Sequence, residues 1–175
     1  MKTLKVVVVS PYLAGKTDFL VTARGIGRSA VGSNHPVDND VKQISTVATE
    51  VEKILLEEDM MIFLIGMPGQ QRFDFMWDVL EDKIHGFIIL FDNERPETFV
   101  ETRKIIDMVY QKTNTPFILC GTSTDPEKAW PEDSIRQSFS LASQFKYTTC
   151  KVDELDSVKK TILDLLYEIL SKYEN

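Results

Sequence analysis

Ser10-Pro11-Tyr12-Leu13-Ala14-Gly15-Lys16-Thr17 is the stretch that decides the fold. It follows the phosphate-binding loop pattern of two glycines, a lysine and a hydroxyl residue, except that Ser10 stands where the first glycine is usual. The valine-rich run Lys5–Val9 just before it has the composition of a buried strand, and a helical pattern begins just after it. In such a setting successive backbone N–H groups wrap a phosphate, the positive end of the helix adds its field, and the lysine supplies a compact point charge. Ala14, Gly15, Lys16, Thr17 and Asp18 are therefore candidate nucleotide-contacting residues. Lys16 would meet the terminal phosphates, and the hydroxyl of Thr17 would ligate Mg²⁺. A plain strand-to-helix turn with an exposed lysine is the alternative that these residues leave open. Ser10 puts a side chain where unusual backbone angles are often needed, which predicts strain and some loss of affinity.

Outward from this loop, short apolar runs at Met60–Ile65, Gly86–Phe91 and Pro116–Cys120 are bounded by Gly, Pro, Asp or Asn and read as central strands. Phe99, Ile105, Ile106 and Val109 after Pro96 have helical spacing. So do Val158, Ile162, Leu165, Leu166, Ile169 and Leu170 near the C-terminus, and a further helix should begin near Pro131. Strands alternating with helices imply a mostly parallel sheet covered on both faces, an α/β three-layer architecture. Thr46–Leu56 and Met60–Ile65, joined by the short link 57–59, suggest an antiparallel hairpin at one edge. The stretch Gly25–Ser45, rich in Gly, Ser, Asn and Asp, shows no apolar period and is expected to be a mobile loop.

A chain of 175 residues with 43% hydrophobic content fits one well-buried core, so a single domain over 1–175 is expected. A formal net charge of -7 argues against a nucleic-acid binder, because no basic stripe is available to release counterions. The longest apolar stretch, Met60–Met67, is far below the roughly 20 residues that span a bilayer, and neither a signal peptide nor a lipidation motif is recognisable. A cytoplasmic protein without an integral membrane segment is expected. Cys120 and Cys150, with His35 and His85, have no metal-ligand spacing; the cysteines read as small residues at the ends of buried strands.

Beyond the loop, the segment Gly69-Gln70-Gln71-Arg72-Phe73-Asp74-Phe75-Met76-Trp77 and the later Arg95-Pro96-Glu97-Thr98-Phe99 complete a wider pattern. Over nearly its whole length the chain resembles the Ras-like P-loop small GTPases, and more closely a prokaryotic branch related to the gliding-motility type. The resemblance implies a Ras-like G domain with a six-stranded, mostly parallel sheet and one antiparallel edge strand. Its implied ligands are GTP or GDP with Mg²⁺. Thr46, in a segment similar to the family's first switch, would close on Mg²⁺; the start of an edge strand is its alternative. Gly69 would sense the γ-phosphate through its backbone N–H, and Gln70 would orient the attacking water as the catalytic residue. Arg72 is read as a solvated switch-loop residue, with a built-in arginine finger as its alternative. Asp125 would recognise guanine through a bidentate pair to N1 and N2. In Thr149-Cys150-Lys151, similar to the closing motif, the Cys150 N–H would face guanine O6 and the Lys151 stem would cover the base; a polar loop before the last helix is the alternative.

Departures from the family pattern temper these expectations. Gly66 stands where an aspartate usually begins the second-switch motif, so weakened Mg²⁺ binding and slow turnover are expected. In Gly121-Thr122-Ser123-Thr124-Asp125 only Asp125 keeps the family's base-recognition residue, with Thr122 for asparagine and Ser123 for lysine. Thr122 can replace only part of an asparagine's hydrogen bonding, and Ser123 has no stem to pack over a base. A slow GTP-hydrolysing switch is the first functional expectation, and a pseudo-GTPase binding platform without significant hydrolysis is its alternative. An ATP-using kinase is a third, weakened by the lack of arginine clusters. A roadblock-type regulatory protein is the partner that the resemblance implies. Exposed aromatics near Phe73, Phe75 and Trp77 would suit a partner surface or core packing equally well.

Overall fold

Val6, Val7, Val8 and Val9 are all fully buried. Four consecutive buried side chains alternate between two faces, which only a central strand covered on both sides permits. The computed structural model that shows this describes residues 2–29, 39–45, 48, 50–57, 59–67 and 83–174. The strands are β1 Lys2–Val9, β2 Arg28–Ser29, β3 Glu50–Glu57, β4 Met60–Gly66, β5 Gly86–Asp92, β6 Phe117–Thr122 and β7 Lys146–Cys150. The helices are α1 Lys16–Ala23, α2 Asn39–Ser45, α3 Phe99–Lys112, α4 Glu132–Ser138 and α5 Leu155–Glu174, with a 3₁₀ turn Pro96–Thr98 leading into α3.

The sheet order is β2-β3-β4-β1-β5-β6-β7. β4, β1, β5, β6 and β7 run parallel, and β3 lies antiparallel to β4. The expected six strands with an antiparallel edge are present; the two-residue β2 extends that edge by pairing antiparallel with β3. This is the α/β architecture of a P-loop NTPase. On one face Val7, Val9, Ile65, Ile89 and Leu119 pack under α2, α3 and α4 through Ile44, Ile105, Val109 and Ile135. On the other, Val6, Val8, Leu64, Ile88 and Ile118 meet α1 and α5 through Phe19, Leu20, Val158, Ile162 and Leu165. Each crossover helix thus covers a face that its flanking strands expose.

The mobile loop expected over Gly25–Ser45 is corrected at both ends. Asn39–Ser45 is α2, anchored by Val41 and Ile44, which are buried on adjacent turns, and Arg28–Ser29 is β2. Two apolar residues three apart make too short a period to stand out in a polar stretch. At the other end of the chain, Leu170 carries α5's apolar pattern onto an exposed surface. Pro131 sits at the N-cap of α4 in extended conformation, one residue before the helix. Both cysteines are buried near strand ends, as expected. Among the described residues no helix is long and apolar enough to cross a membrane.

Candidate functional site

The loop after β1 leaves the sheet at Ser10, which is buried at 5% exposure. Strain at Ser10 is not found: among the described residues, the non-glycine residues with positive φ are Leu13 and Ser140. The left-handed turn falls instead on exposed Leu13, φ 62°, and on Gly15, φ 84°, the N-cap of α1. With no Cβ at Gly15 the backbone can adopt this angle and pass close to Val152, whose Cγ atoms would lie 3.3 Å from an added Cβ. The first helical bond follows at once, from Phe19 N to Gly15 O at 2.9 Å. This loop and the first turn of α1 line a cavity of about 480 Å³, walled by residues 10–18 and by Glu101 of α3.

Lys16 reaches across the C-terminal edge of the parallel strands and donates from Nζ to Met67 O at 2.5 Å. Burial pulls its pKa down, and the carboxylate of Glu50 opposes that pull. Thr17 Oγ1 donates to Glu50 Oε1 at 3.2 Å. Glu50 is the first residue of β3 and the direct cross-strand partner of Gly66 at the end of β4. Its Oε2 is buried, with no hydrogen-bond partner among the described residues. Sequence reasoning missed Glu50. The signal that exposes it is hairpin register, and simple counting from the turn fails because the register shifts between Leu55 and Glu57.

Beside the phosphate loop lies the segment after β6. Thr122 Oγ1 lies 3.1 Å from both Ala14 O and Phe91 O, so one hydroxyl hydrogen serves two carbonyls and ties β6 to the loop. Glu94 Oε1 accepts from the backbone N–H groups of Thr124 at 3.0 Å and Asp125 at 2.6 Å. Asp125 Oδ1 accepts from Glu127 N at 3.0 Å, which holds the carboxylate in a local turn. Asn93 braces the far end of the segment, accepting from Trp130 N at 3.1 Å and donating to Tyr147 Oη at 3.1 Å. Neither Asn93 nor Glu94 was singled out from sequence, because their partners Thr124, Asp125 and Trp130 lie on the loop after β6, far along the chain.

After β7, buried Cys150 leads into exposed Lys151, whose N–H is capped by Ser157 Oγ at 2.9 Å and whose ammonium lies 3.6 Å from Glu154. The next residue, Val152, abuts Gly15 and accepts from the Thr22 hydroxyl, so the end of β7 lies against the phosphate loop. The neighbouring Cys120 thiol draws Cys150 down to about 7 against its burial, while burial pushes Cys120 well up. The structure thus brings Ala14, Gly15, Lys16, Thr17 and Asp18 together on one side of the sheet's C-terminal edge, with Cys150 ending β7 and Asp125 and Lys151 on the loops beside it. Thr46, Gly69 and Gln70 lie outside the described residues, as do Arg72, Phe73, Phe75 and Trp77.

With this geometry in place, similarity to known proteins is informative. Residues 36–173 match a family model described as "Conserved hypothetical ATP binding protein"; the phosphate loop lies outside the matched region. The chain is also similar to the Ras-related protein Rab-32C of Dictyostelium discoideum, at 27% identity over 184 residues, covering 98% of this chain and 75% of that protein.

Proposed function

The chain belongs to the conserved hypothetical ATP binding protein family, and from that premise we propose that it is a small nucleotide-binding G domain acting as a slow GTP-hydrolysing switch. The observation that carries this proposal is the turn at Gly15. A left-handed glycine opens α1, with Lys16 and Thr17 following it at the C-terminal edge of a parallel sheet. Helix N-terminus, backbone amides and ammonium then converge on one anion. The resemblance to Ras-like GTPases and the similarity to a Ras-related protein favour guanine over the adenine named in the family's description. Asp125 provides the chemical reason: two carboxylate oxygens suit the N1 and N2 donors of guanine, whereas adenine turns an acceptor toward them. Cys150 and Lys151 complete the base side in this proposal.

Mg²⁺ accompanies the nucleotide in this account, and the donors present fit it. The Thr17 hydroxyl and the Glu50 carboxylate are hard oxygen ligands, and one of them, Glu50 Oε2, is buried without a hydrogen-bond partner among the described residues. When bound, the ion neutralises charge on the phosphate oxygens. Lys16 would exchange its bond to Met67 O for the terminal phosphates. Gln70 would orient a water whose oxygen attacks the γ-phosphorus as the bond to the β–γ bridging oxygen breaks, yielding GDP and inorganic phosphate. Thr46 and Gly69 would close on the γ-phosphate and release with it, and a roadblock-type protein would read those segments. Placement in the gliding-motility branch and in the cytoplasm belongs to the same proposal.

A single-turnover phosphate-release assay on nucleotide-free protein tests it. Slow release from GTP but not ATP, lowered roughly 10²-fold by Gln70→Ala, is expected. Tight GTP binding without release would favour the platform reading, to which Gly66 already lends weight by removing a carboxylate from the second-switch position.

A further inference from the structure

We infer that Glu50 is the metal-site carboxylate of this protein, carried on β3 in place of the acidic side chain that β4 lacks at Gly66. The inference rests on the nucleotide-binding proposal and deepens it. Glu50 and Gly66 are directly opposed in the antiparallel pair β3–β4, so their side-chain positions are neighbours on one face of the sheet. The space is shared. A Cβ built on Gly66 would stand 3.4 Å from both Cβ and Oε2 of Glu50, and 2.8 Å from Cδ1 of buried Leu20. A longer side chain at 66 would enter the volume that the glutamate fills, so glycine at one position and glutamate at the other form a complementary pair.

The reach and chemistry of Glu50 agree with the same role. Oε1 takes the hydrogen bond of Thr17, the hydroxyl placed to ligate the ion, so carboxylate and hydroxyl are already side by side at 3.2 Å. Oε2 is buried, with no hydrogen-bond partner among the described residues. A buried carboxylate oxygen left without a donor is costly unless a cation or water completes it. The Lys16 ammonium is close enough to feel the carboxylate's charge, yet it donates to Met67 O. A divalent ion bound between Thr17 and Glu50 would satisfy Oε2 and set the carboxylate's charge against the phosphates' metal instead of against the phosphates themselves.

The test is dissociation of fluorescent GDP from wild type and Glu50→Gln, with Mg²⁺ and with EDTA, alongside the paramagnetic resonance spectrum of Mn²⁺ in the GDP-bound protein. The amide keeps the shape of the side chain and removes its charge. The expected result is slow release from wild type in Mg²⁺, accelerated by EDTA. In Glu50→Gln the Mg²⁺ effect, taken as the ratio of release in EDTA to release in Mg²⁺, should fall about 10–100-fold, and Mn²⁺ affinity should fall in parallel. An undiminished Mg²⁺ effect and Mn²⁺ affinity in Glu50→Gln would overturn the inference while leaving nucleotide binding standing. Slower release in EDTA with the Mg²⁺ effect intact would overturn it too, marking Glu50 as an obstacle to phosphate. Failure of wild type to bind GDP at all would overturn the nucleotide proposal and this inference with it.

Discussion

Gly15 and Thr122 act on the phosphate loop from opposite sides, one by what it lacks and the other by a single hydrogen. Gly15→Ala would force a Cβ into a left-handed angle, φ 84°, and against Val152, costing about 1–2 kcal/mol of stability. Urea denaturation checks this, and nucleotide affinity should fall with it. Thr122→Val keeps the shape of the side chain but takes the donor from Ala14 O and Phe91 O, for an expected loss of about 1–3 kcal/mol. If the hydroxyl also positions the loop, GDP affinity should weaken in the same variant while the fold stays native by circular dichroism. Single residues were legible in the sequence where chemistry is local. Gly15, Lys16 and Thr17 are consecutive, and their placement at a strand-to-helix turn follows from the strand before and the helix after. Glu50, Asn93 and Glu94 were not legible, since each matters through a partner on another strand or loop and nothing in its own neighbourhood marks it. Strain was expected at Ser10 and is found at Leu13, because the loop takes its left-handed turn three residues later than the missing glycine suggested.

Among the elements, α5 is the one whose apolar face bears most directly on the central sheet. Leu165 is fully buried and lies against Gly86 at the start of β5, where an added Cβ would come within 3.1 Å of it and 2.9 Å of Ile169. Leu165→Ala should therefore destabilise by about 2–5 kcal/mol in urea titration, through lost burial plus a cavity. The junction of β6, β7 and α5 also holds a titration. Cys150, drawn down to about 7 by the neighbouring Cys120 thiol, should appear as thiolate absorbance rising across neutral pH in the folded protein. Cys120→Ala removes that thiol, so the midpoint should move upward; a midpoint that stays put would contradict the assigned cause. Long elements were legible because their apolar periods are continuous, as in β1 and α5. α2 was missed because its seven-residue sequence holds only two apolar residues, Val41 and Ile44, too few to separate helix from loop.

At the scale of the whole molecule, two apolar clusters on either face of one sheet place the sheet's C-terminal edge under the phosphate loop. That edge is where open α/β sheets bind ligands. An acidic chain, net charge -7, attracts no polyphosphate by long-range field, so the proposed binding would rest on the local amides and Lys16. The sheet's parallel order could be anticipated from alternating strands and helices, whereas the pairing of β3 with β4 brings in a carboxylate that only the register reveals. A ligand bound to the native state alone should stabilise it by about 2.7 kcal/mol at a hundredfold excess over Kd. The most direct measurement is calorimetric titration of nucleotide-free protein with GDP and with ADP in Mg²⁺, for wild type and Lys16→Ala. The account predicts that GDP binds and ADP does so far more weakly, with GDP affinity falling roughly tenfold or more in Lys16→Ala through loss of a charge-assisted contact. Equal or tighter binding of ADP, or GDP binding indifferent to Lys16, would contradict it.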